Sequence, residues 1–287
     1  ACPQNKSFMA LILTEEQKML KDSAKELLAT KSPVSKMRDL RDSKYTPYDP
    51  KLWDEMVSMG WSALTIPESY NGLDFGFVGL GQVLEQTGRN LSKSPLVSSI
   101  LLGTSALRLS DNEILKAKLF PGIMEGTCKL AFAMQEGIHH QTKLFKTSAV
   151  LEGENYTING SKTIVIDGST ADHYIVVCQV NDNLSLFIVD SNSKGITISK
   201  KILMDSGSYA DVTFKNVSIS AENQLNIKLD GRQLLDQIMT IAYAGFSAEL
   251  LGICKQSFDI TIKYLKERQQ FGVIIGTYQA LQHRAVI

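Results

Sequence analysis

The sequence predicts a mainly α-helical protein with a β domain in its middle. Apolar residues recur with helical spacing from Leu13 to about Thr127. They alternate with the strand period from about Leu130 to Ser220, and helical spacing returns after Gly231. A chain of 287 residues also exceeds the size that one hydrophobic core usually serves. We therefore expect a helical domain over residues 1–127, an antiparallel β-barrel or sandwich over 128–225, and the start of a helical bundle over 226–287.

The amino-terminal third contains two helix-start signals and one loop. Thr14 to Gln17 is a capping-box sequence, in which two side chains satisfy backbone N–H groups at the start of a helix. Asp49 followed by Pro50 predicts a second start, because proline fits the first helical turn, and Gly60 predicts the end. We expect a loop from Pro67 to Gly76. Two or three further helices fit between Phe77 and Glu125, with breaks at Ser94-Pro95 and near Asp111.

The middle of the chain has the pattern of antiparallel strands. Tyr156 to Ile158, the turn pair Asn159-Gly160 and Thr163 to Ile166 together predict a two-residue hairpin. The run from His173 to Val180 is separated by three polar residues from Leu184 to Val189, which predicts a second antiparallel pair. No helix of useful length interrupts these runs. One further strand is indicated by alternating apolar residues at Val212, Phe214 and Val217.

After Gly231 the pattern predicts one long helix that extends as far as Leu265. Residues Thr277 to Ile287 predict the opening of another helix. Two helices cannot enclose a core by themselves, since a bundle generally needs four. We therefore expect the missing packing to come from further chain or from other subunits.

The composition limits the class of partner. Thirty basic residues balance thirty acidic ones, which excludes the basic patch that nucleic-acid binding generally needs. No run reaches the length of roughly 18 apolar residues that a membrane-spanning helix requires, and Ala1 to Ala10 lacks the pattern of a signal peptide. We expect a cytoplasmic protein whose partners are small molecules or subunits. Its thiols should be unpaired, because no CxxC pair occurs among Cys2, Cys128, Cys178 and Cys254.

Several segments resemble the acyl-CoA dehydrogenase family. Tyr264 to Gly272, continuing through Tyr278 to His283, resembles the motif Y-x-x-x-R-x-x-F-G-x-P-I-x-x-F-Q-x-x-Q, with Ile274 in place of the proline. Ala131 to Gly137 resembles A-Y-x-x-T-E-P, and Tyr156 to Asp172 resembles Y-x-L-N-G-x-K-x-W-I-T-N-G-x-x-A-D. Lys146 to Ala149 resembles K-T-x-A. With further similarity near both Thr14 and Pro67, the resemblance extends over residues 13–287.

The resemblance implies that FAD lies between the β domain and the carboxy-terminal bundle, usually in a tetramer built as a dimer of dimers. Arg268 would reach the FAD diphosphate of a neighbouring subunit, with Phe271 and Gln279 beside it, and a guanidinium fork suits two phosphates. An ordinary surface arginine at a helix end is the alternative for Arg268. Within one subunit the flavin would be lined by Phe132, Met134, Gln135, Ile164 and Ile166, with main-chain groups of Val165 at its edge.

The family reaction removes a proton from Cα of an acyl-CoA and passes a hydride from Cβ to flavin N5, with a glutamate as the base. In most relatives that glutamate lies well beyond the arginine motif, outside this sequence. A minority carry it at the position that matches Ala242, which cannot accept a proton. The catalytic base is therefore unknown. The flavin-facing strands also depart from the family, because Gln135 and Ile166 replace threonines and Ile164 replaces a tryptophan.

Three functional readings of the resemblance stay open. The first is oxidation of an acyl-CoA to its 2,3-enoyl-CoA, with an electron-acceptor flavoprotein as a further partner. The second is a non-catalytic subunit that stabilises a second acyl-CoA dehydrogenase chain, because Gln135 to Gly137 resembles a bacterial branch with paired subunits. The third is a flavin-dependent oxygenase. His139 and His140 are expected to be loop histidines, since neighbours on an extended chain point to opposite faces, and no metal site is predicted.

Overall fold

A computed structural model describes residues 12–42, 46–205 and 207–287. The segment Ala1 to Ala10, including Cys2, lies outside the described residues. The helices are α1 (Glu15–Lys31), α2 (Val34–Asp42), α3 (Pro50–Ser58), α4 (Gly76–Asn90), α5 (Ser105–Leu109), α6 (Glu113–Met124), α7 (Gly231–Glu267) and α8 (Gln279–Val286). The strands are β1 (Leu130–Ala133), β2 (Ser148–Glu152), β3 (Asn155–Ile166), β4 (His173–Val180), β5 (Asn183–Asp190), β6 (Ile196–Ile202), β7 (Ser208–Ser220), β8 (Gln269–Gln270) and β9 (Val273–Ile274).

The predicted helix starts are confirmed. The Thr14 hydroxyl accepts the N–H of Gln17 at 3.2 Å, and the Gln17 side chain accepts the N–H of Thr14 at 3.1 Å. Asp49 caps α3, and Gly60 lies just beyond its end with φ +77°. A π-helical segment, Leu96–Thr104, follows the predicted break at Ser94-Pro95 and leads directly into α5. Helix α2 was not predicted, because it is only nine residues long, is mostly polar and buries no residue completely.

Seven strands form one curled sheet in the order β1-β4-β2-β3-β7-β6, with β5 paired to β4. The predicted antiparallel pairing of β4 with β5 is confirmed from His173 opposite Asp190 to Val180 opposite Asn183. Strand β1 pairs with β4 in parallel, and β2 also meets β4 in parallel. The β domain is therefore mixed rather than purely antiparallel. Parallel contacts arise because β1 is followed by a long irregular crossing rather than a tight turn.

The predicted hairpin at Asn159-Gly160 is wrong. These residues lie inside β3, a single strand that pairs along most of its length with β7. A register shift between Ile158 and Gly160 places an irregularity there instead of a turn. The actual hairpin joins β2 to β3 around Gly153, where Glu152 pairs with Asn155. Local turn propensity at Asn159-Gly160 is outweighed by the ladder hydrogen bonds to β7.

Two hydrophobic cores hold the domains together. One joins the amino-terminal helices to one face of the sheet and to the first half of α7, and includes Trp61, Phe120, Ile175 and Ile238. The other lies inside the β domain, around residues such as Tyr174 and Phe214. The first core is continuous across helical and β regions, so the surface where they meet is rigidly positioned.

Helix α7 packs backbone to backbone against α4. An added Cβ at Gly252 would lie 1.9 Å from the Glu85 carbonyl oxygen, and one at Gly88 would lie 2.0 Å from the Glu249 carbonyl oxygen. Only glycine permits this approach. By length and composition α7 is also the one helix in the described residues that could cross a membrane, which is weak evidence for a span because a buried core helix has the same composition. Its first half is buried in the core of the fold, at Leu234, Leu235, Ile238 and Ala242.

Candidate functional site

A largely apolar cavity of about 360 Å³ lies where the sheet faces α7 and the π-helical segment. We call it the apolar cavity. It receives side chains from the end of β1, from the carboxy-terminal part of β3, from β7 and from one face of α7. Its lining consists of Leu102, Phe132, Met134, Gln135, Ile138, His140, Ile164, Ile166, Tyr209, Met239 and Phe246.

Five of the residues predicted to face a flavin meet in this cavity, although they come from two separate parts of the chain, β1 with the residues just after it and the end of β3. Val165, for which only main-chain contacts with the flavin were expected, does not line the cavity with its side chain. Its side chain is 2% exposed and packs inside the β domain with the second core. Because side chains alternate along a strand, Ile164 and Ile166 face the cavity while Val165 faces away. The five residues that line the cavity are Phe132, Met134, Gln135, Ile164 and Ile166.

Main-chain donors are free at one edge of the cavity. The carbonyl oxygen of Met134 accepts from the Lys162 ammonium at 3.2 Å, and that of Gln135 accepts from the Thr163 N–H at 2.8 Å. Within the described residues, the N–H groups of Met134 and Gln135 have no hydrogen-bond partner. Such groups are normally satisfied, so this edge is able to donate to a polar ligand.

Ile164 holds a strained backbone at the cavity wall. Its φ is +52°, a conformation that β-branched residues rarely adopt. A register shift between Lys162 and Val165 produces the local kink, and the Ile164 N–H donates to the Asp211 carboxylate at 3.1 Å. Its side chain is 42% exposed and so offers an apolar surface to the cavity. Strain of this kind, of order 1–3 kcal/mol, persists only where the surrounding structure enforces it.

A buried ion pair fixes the chain beside these donors. The Lys162 ammonium, fully buried, lies 2.7 Å from Oε1 of Glu136 and 4.8 Å from the centre of the Phe145 ring. Glu136 also accepts the N–H groups of Lys146 at 2.7 Å and Thr147 at 3.0 Å. Burial lowers the pKa of Lys162. Burial would raise the pKa of Glu136, but hydrogen bonds from Lys162 and the Lys146 backbone outweigh it and hold that pKa below its ordinary value.

The segment over 137–145 closes one side of the cavity and is attached to α7 at two points. The Arg232 guanidinium donates to the carbonyl oxygens of Thr142 and Lys143, the latter at 2.9 Å. His140 lies between Gln135, 3.2 Å from Nδ1 to Oε1, and Tyr243, 3.3 Å from Nε2 to the hydroxyl. His140 lies in a loop, as predicted, and its side chain also lines the cavity. No cluster able to hold a metal ion occurs in the described parts of the chain.

Arg268, Phe271 and Gln279 lie away from the apolar cavity. Arg268 follows the last turn of α7, and 22 residues separate it from Phe246, so the two lie roughly 30 Å apart along the helix axis. Phe271 is 91% exposed and has φ +53°, and Arg268 and Gln279 are also exposed. These three residues are too far from the cavity of their own subunit to contact a flavin bound there. A role in flavin binding would therefore require the cavity of a neighbouring subunit.

No carboxylate lines the apolar cavity within the described residues. Ala242, which the family resemblance matches to the base of some relatives, is completely buried and lies on the same face of α7 as the lining residues Met239 and Phe246. The two lining side chains that ionise are His140 and Tyr209. Burial, together with a hydrogen bond to Asp205, raises the pKa of Tyr209, which disfavours a phenolate. Among the described lining residues, none is therefore a glutamate placed to act as the base.

Sequence reasoning missed the α7 side of the cavity. Met239, Ala242, Phe246 and Glu249 follow one another at spacings of three, four and three residues, which places them on one helix face. Most of this face is apolar. Glu249 is the one charged residue on this otherwise apolar helix face. A charge at such a position is the sequence signal that could have identified Glu249 as a candidate functional residue.

A helical domain, a curled sheet and a long helix that enclose an apolar cavity define an acyl-CoA dehydrogenase-like fold. The models of the N-terminal and middle acyl-CoA dehydrogenase domains match residues 14–127 and 134–217. The chain belongs to the acyl-CoA dehydrogenase family, whose members are flavoprotein oxidoreductases.

Relatives of known name cover nearly the whole chain. The caffeyl-CoA reductase-Etf complex subunit CarC of Acetobacterium woodii is 26% identical, over 94% of this chain and 74% of that protein. An acyl-CoA dehydrogenase of Bacillus subtilis is 26% identical, over 95% of this chain and 74% of that protein. A chain of the ChsE4-ChsE5 complex from Mycobacterium tuberculosis has a TM-score of 0.87 at 21% identity, over 96% and 73% of the two chains. This last similarity supports the fold.

Proposed function

We propose that this chain is a subunit of an FAD-dependent enzyme that oxidises an acyl-CoA to its 2,3-enoyl-CoA. The observation that carries the proposal is the apolar cavity. Five residues predicted to face a flavin line it, and two free main-chain N–H groups lie at its edge. A flat, largely apolar ring system with hydrogen-bond acceptors along one edge fits this donor set.

FAD, when bound, supplies the acceptor for the hydride that leaves Cβ. The residues that would hold its ring system are Met134 and Gln135, whose N–H groups would donate to the acceptor edge, and Ile164 and Phe132, whose side chains would cover the apolar surface. The acyl chain lies against Leu102, Met239 and Phe246, whose side chains exclude water. The buried Lys162–Glu136 pair keeps the donor segment in position.

The proton acceptor comes from outside the described cavity lining, because Ala242 occupies the α7 position and no carboxylate lines the apolar cavity. Assembly with another chain is one source of the missing groups. CarC is by its name a subunit of a complex with Etf, and we extend a heteromeric assembly and an electron-acceptor flavoprotein to this chain as part of the proposal. The cavity's lack of a base also favours the second reading, a non-catalytic subunit beside a second dehydrogenase chain.

The central test is cofactor retention followed by reduction. The chain is incubated with FAD, freed of unbound flavin by gel filtration, and titrated with an acyl-CoA in the absence of oxygen. Retained flavin that loses its visible absorbance supports the dehydrogenase. Retained flavin that bleaches only when a second dehydrogenase chain is added supports the non-catalytic subunit. Oxygen consumption driven by added reduced flavin would instead support an oxygenase, and absence of flavin under every condition contradicts the proposal.

A cavity variant separates specific from adventitious flavin. Ile166→Asp places a charge in the apolar cavity and should abolish FAD retention, because a carboxylate there opposes burial of the ring. Ile202→Asp is the matched control, since Ile202 is 67% exposed on β6. Equal retention by both variants would contradict the assigned cavity.

The proposed role of Arg268 across a subunit boundary has a separate test. Arg268→Ala should weaken FAD retention in the assembled protein, because one charge-assisted contact to the diphosphate is lost. Arg38→Ala, in α2, is the control, since this helix lies outside both the cavity and the carboxy-terminal motif. Unchanged retention in Arg268→Ala would contradict its assignment while leaving the cavity assignment intact.

A further inference from the structure

A second cavity of about 130 Å³ adjoins the apolar cavity and has a different chemistry. We call it the polar cavity, and the side chains that define it are Ser92, Lys93, Asp167, Asp205 and Glu249. The two cavities share three lining residues, Ile166, Tyr209 and Phe246.

One face of α7 connects the two cavities. Met239 lines the apolar cavity, Phe246 lines both, and Glu249 lines the polar cavity. Met239 and Glu249 are ten residues apart, which is roughly 15 Å along the helix axis. A ligand that extends along this face from the apolar cavity reaches polar side chains at its far end.

Some of the polar groups already satisfy one another. The Lys93 ammonium lies 3.6 Å from Oδ2 of Asp205. Asp205 also accepts the Tyr209 hydroxyl at 2.6 Å and the N–H of Gly207 at 3.0 Å. These hydrogen bonds overcome the effect of burial and lower the pKa of Asp205. Asp205 therefore has its partners within the fold, and Lys93 lies beside it.

Other polar groups of the cavity are left without partners. The Glu249 carboxylate is half-buried, and among the described residues it has no hydrogen bond and no ion pair within 4 Å. The more distant positive charge of Lys93, which lines the same cavity, partly offsets the effect of burial on the Glu249 pKa. The Ser92 hydroxyl, in a residue 7% exposed, likewise has no hydrogen-bond partner in the described parts of the chain. Burial raises the pKa of Glu249, and raises that of Asp167 to about 6 although Ser98 donates to it at 2.6 Å.

We infer that the acyl group of the substrate carries a hydrogen-bond donor, a hydroxyl or an ammonium group, at the end that enters the polar cavity and meets Glu249. The inference rests on the proposed function, since it assumes that the acyl chain occupies the apolar cavity. Buried polar groups are nearly always paired, and each exception needs an explanation. A plain hydrocarbon end would bury Glu249 and Ser92 further without a partner, which is costly, whereas a donor group would satisfy them.

The test compares matched ligands. Straight-chain acyl-CoAs of increasing length are each paired with the ω-hydroxy and ω-amino acyl-CoA of the same length. Binding to the FAD-loaded full chain is measured by isothermal titration calorimetry. At one length the donor-bearing acyl-CoA should bind about tenfold more tightly than its plain counterpart, as a hydrogen bond to a charged group predicts. Glu249→Leu should remove this preference, and Glu154→Leu, in an exposed turn, should keep it.

Each outcome bears on the inference. Equal or tighter binding of the plain chain at every length overturns it and leaves the proposed function intact. Failure of every acyl-CoA to bind overturns the proposed function and the inference together. A preference that survives Glu249→Leu contradicts the role of this carboxylate. Glu249→Gln distinguishes the donors and guards against misfolding of the leucine variant, because it removes the charge and should weaken binding of the ammonium far more than that of the hydroxyl.

Discussion

The buried Lys162–Glu136 pair yields the sharpest stability prediction. Glu136→Gln keeps the shape of the side chain but removes the charge that faces a fully buried ammonium 2.7 Å away. Breaking a buried pair by removing one partner costs about 3–5 kcal/mol, because the remaining charge is left uncompensated. The Met134 carbonyl oxygen and the Phe145 ring still contact Lys162, so we expect about 3 kcal/mol rather than the upper limit.

The two partners should respond unequally. Lys162→Met removes the buried ammonium and leaves Glu136, whose side chain is 11% exposed and still accepts two backbone N–H groups. We therefore expect Lys162→Met to cost less than Glu136→Gln, about 1–2 kcal/mol. The double variant should be more stable than the sum of the two single losses predicts, because the two groups are in direct contact.

Urea unfolding followed by circular dichroism measures these free energies, with Glu55→Gln as the control. Glu55 forms an exposed pair with Lys31, 3.0 Å apart, and should contribute less than about 1 kcal/mol. A loss below about 1 kcal/mol in Glu136→Gln, similar to this control, would refute the argument from uncompensated charge.

The pH dependence provides a second check on the same pair. The folded-state pKa of Glu136 is below its ordinary value of 4.5, so its stabilisation is present above 4.5 and is lost as pH falls through the lower folded value. The pKa of Lys162 is below 10.5 in the folded state, so stability from this group increases as pH rises from that lowered value toward 10.5. Glu136→Gln should weaken the acid-range dependence, because the contribution of Glu136 is removed, and should increase the alkaline one.

Three further predictions concern other positions. Gly252→Ala should lower the free energy of unfolding in urea by about 1–3 kcal/mol, because its Cβ would meet the Glu85 carbonyl oxygen; an unchanged free energy contradicts the close packing. Ile164→Gly should leave thermal stability nearly unchanged or raise it, since φ is +52°, whereas Ile202→Gly should lower it. Burial raises the pKa of Asp167 from its ordinary value of 3.8 to about 6, so its contribution to folding stability is complete below pH 3.8 and is lost as pH rises through about 6. The urea midpoint of Asp167→Asn should lack the decline that this group causes over that pH range.

Local signals determined much of the helical domain. The capping box at Thr14 and the Asp49-Pro50 start involve neighbours within four residues, so the sequence specifies them without reference to the rest of the fold. The change from helical to strand spacing near Leu130 and back near Gly231 is likewise visible in the chain itself, because burial of one face imposes the period. The family motifs are also local stretches of sequence, so the resemblance could identify five residues of the apolar cavity.

Tertiary structure decided the features that depend on distant partners. Asn159-Gly160 has strong turn propensity, yet pairing with β7 keeps it in a strand. The pairing of Lys162 with Glu136 joins residues 26 positions apart. Neither feature can be obtained from local sequence, because each depends on a partner strand or segment that only the folded chain brings close.

The sequence shows that residue 249 is a glutamate, but it does not show which residues surround this side chain. It becomes a candidate ligand because the fold brings α7, β3 and the segment around Lys93 to one cavity. The sequence by itself thus determined the order of the helical and β regions and five of the residues that face the apolar cavity, since periodicity and motifs are local properties of the chain. Only the tertiary structure decided the strand pairing, the buried ion pair and the polar cavity, because each depends on contacts between residues far apart in sequence.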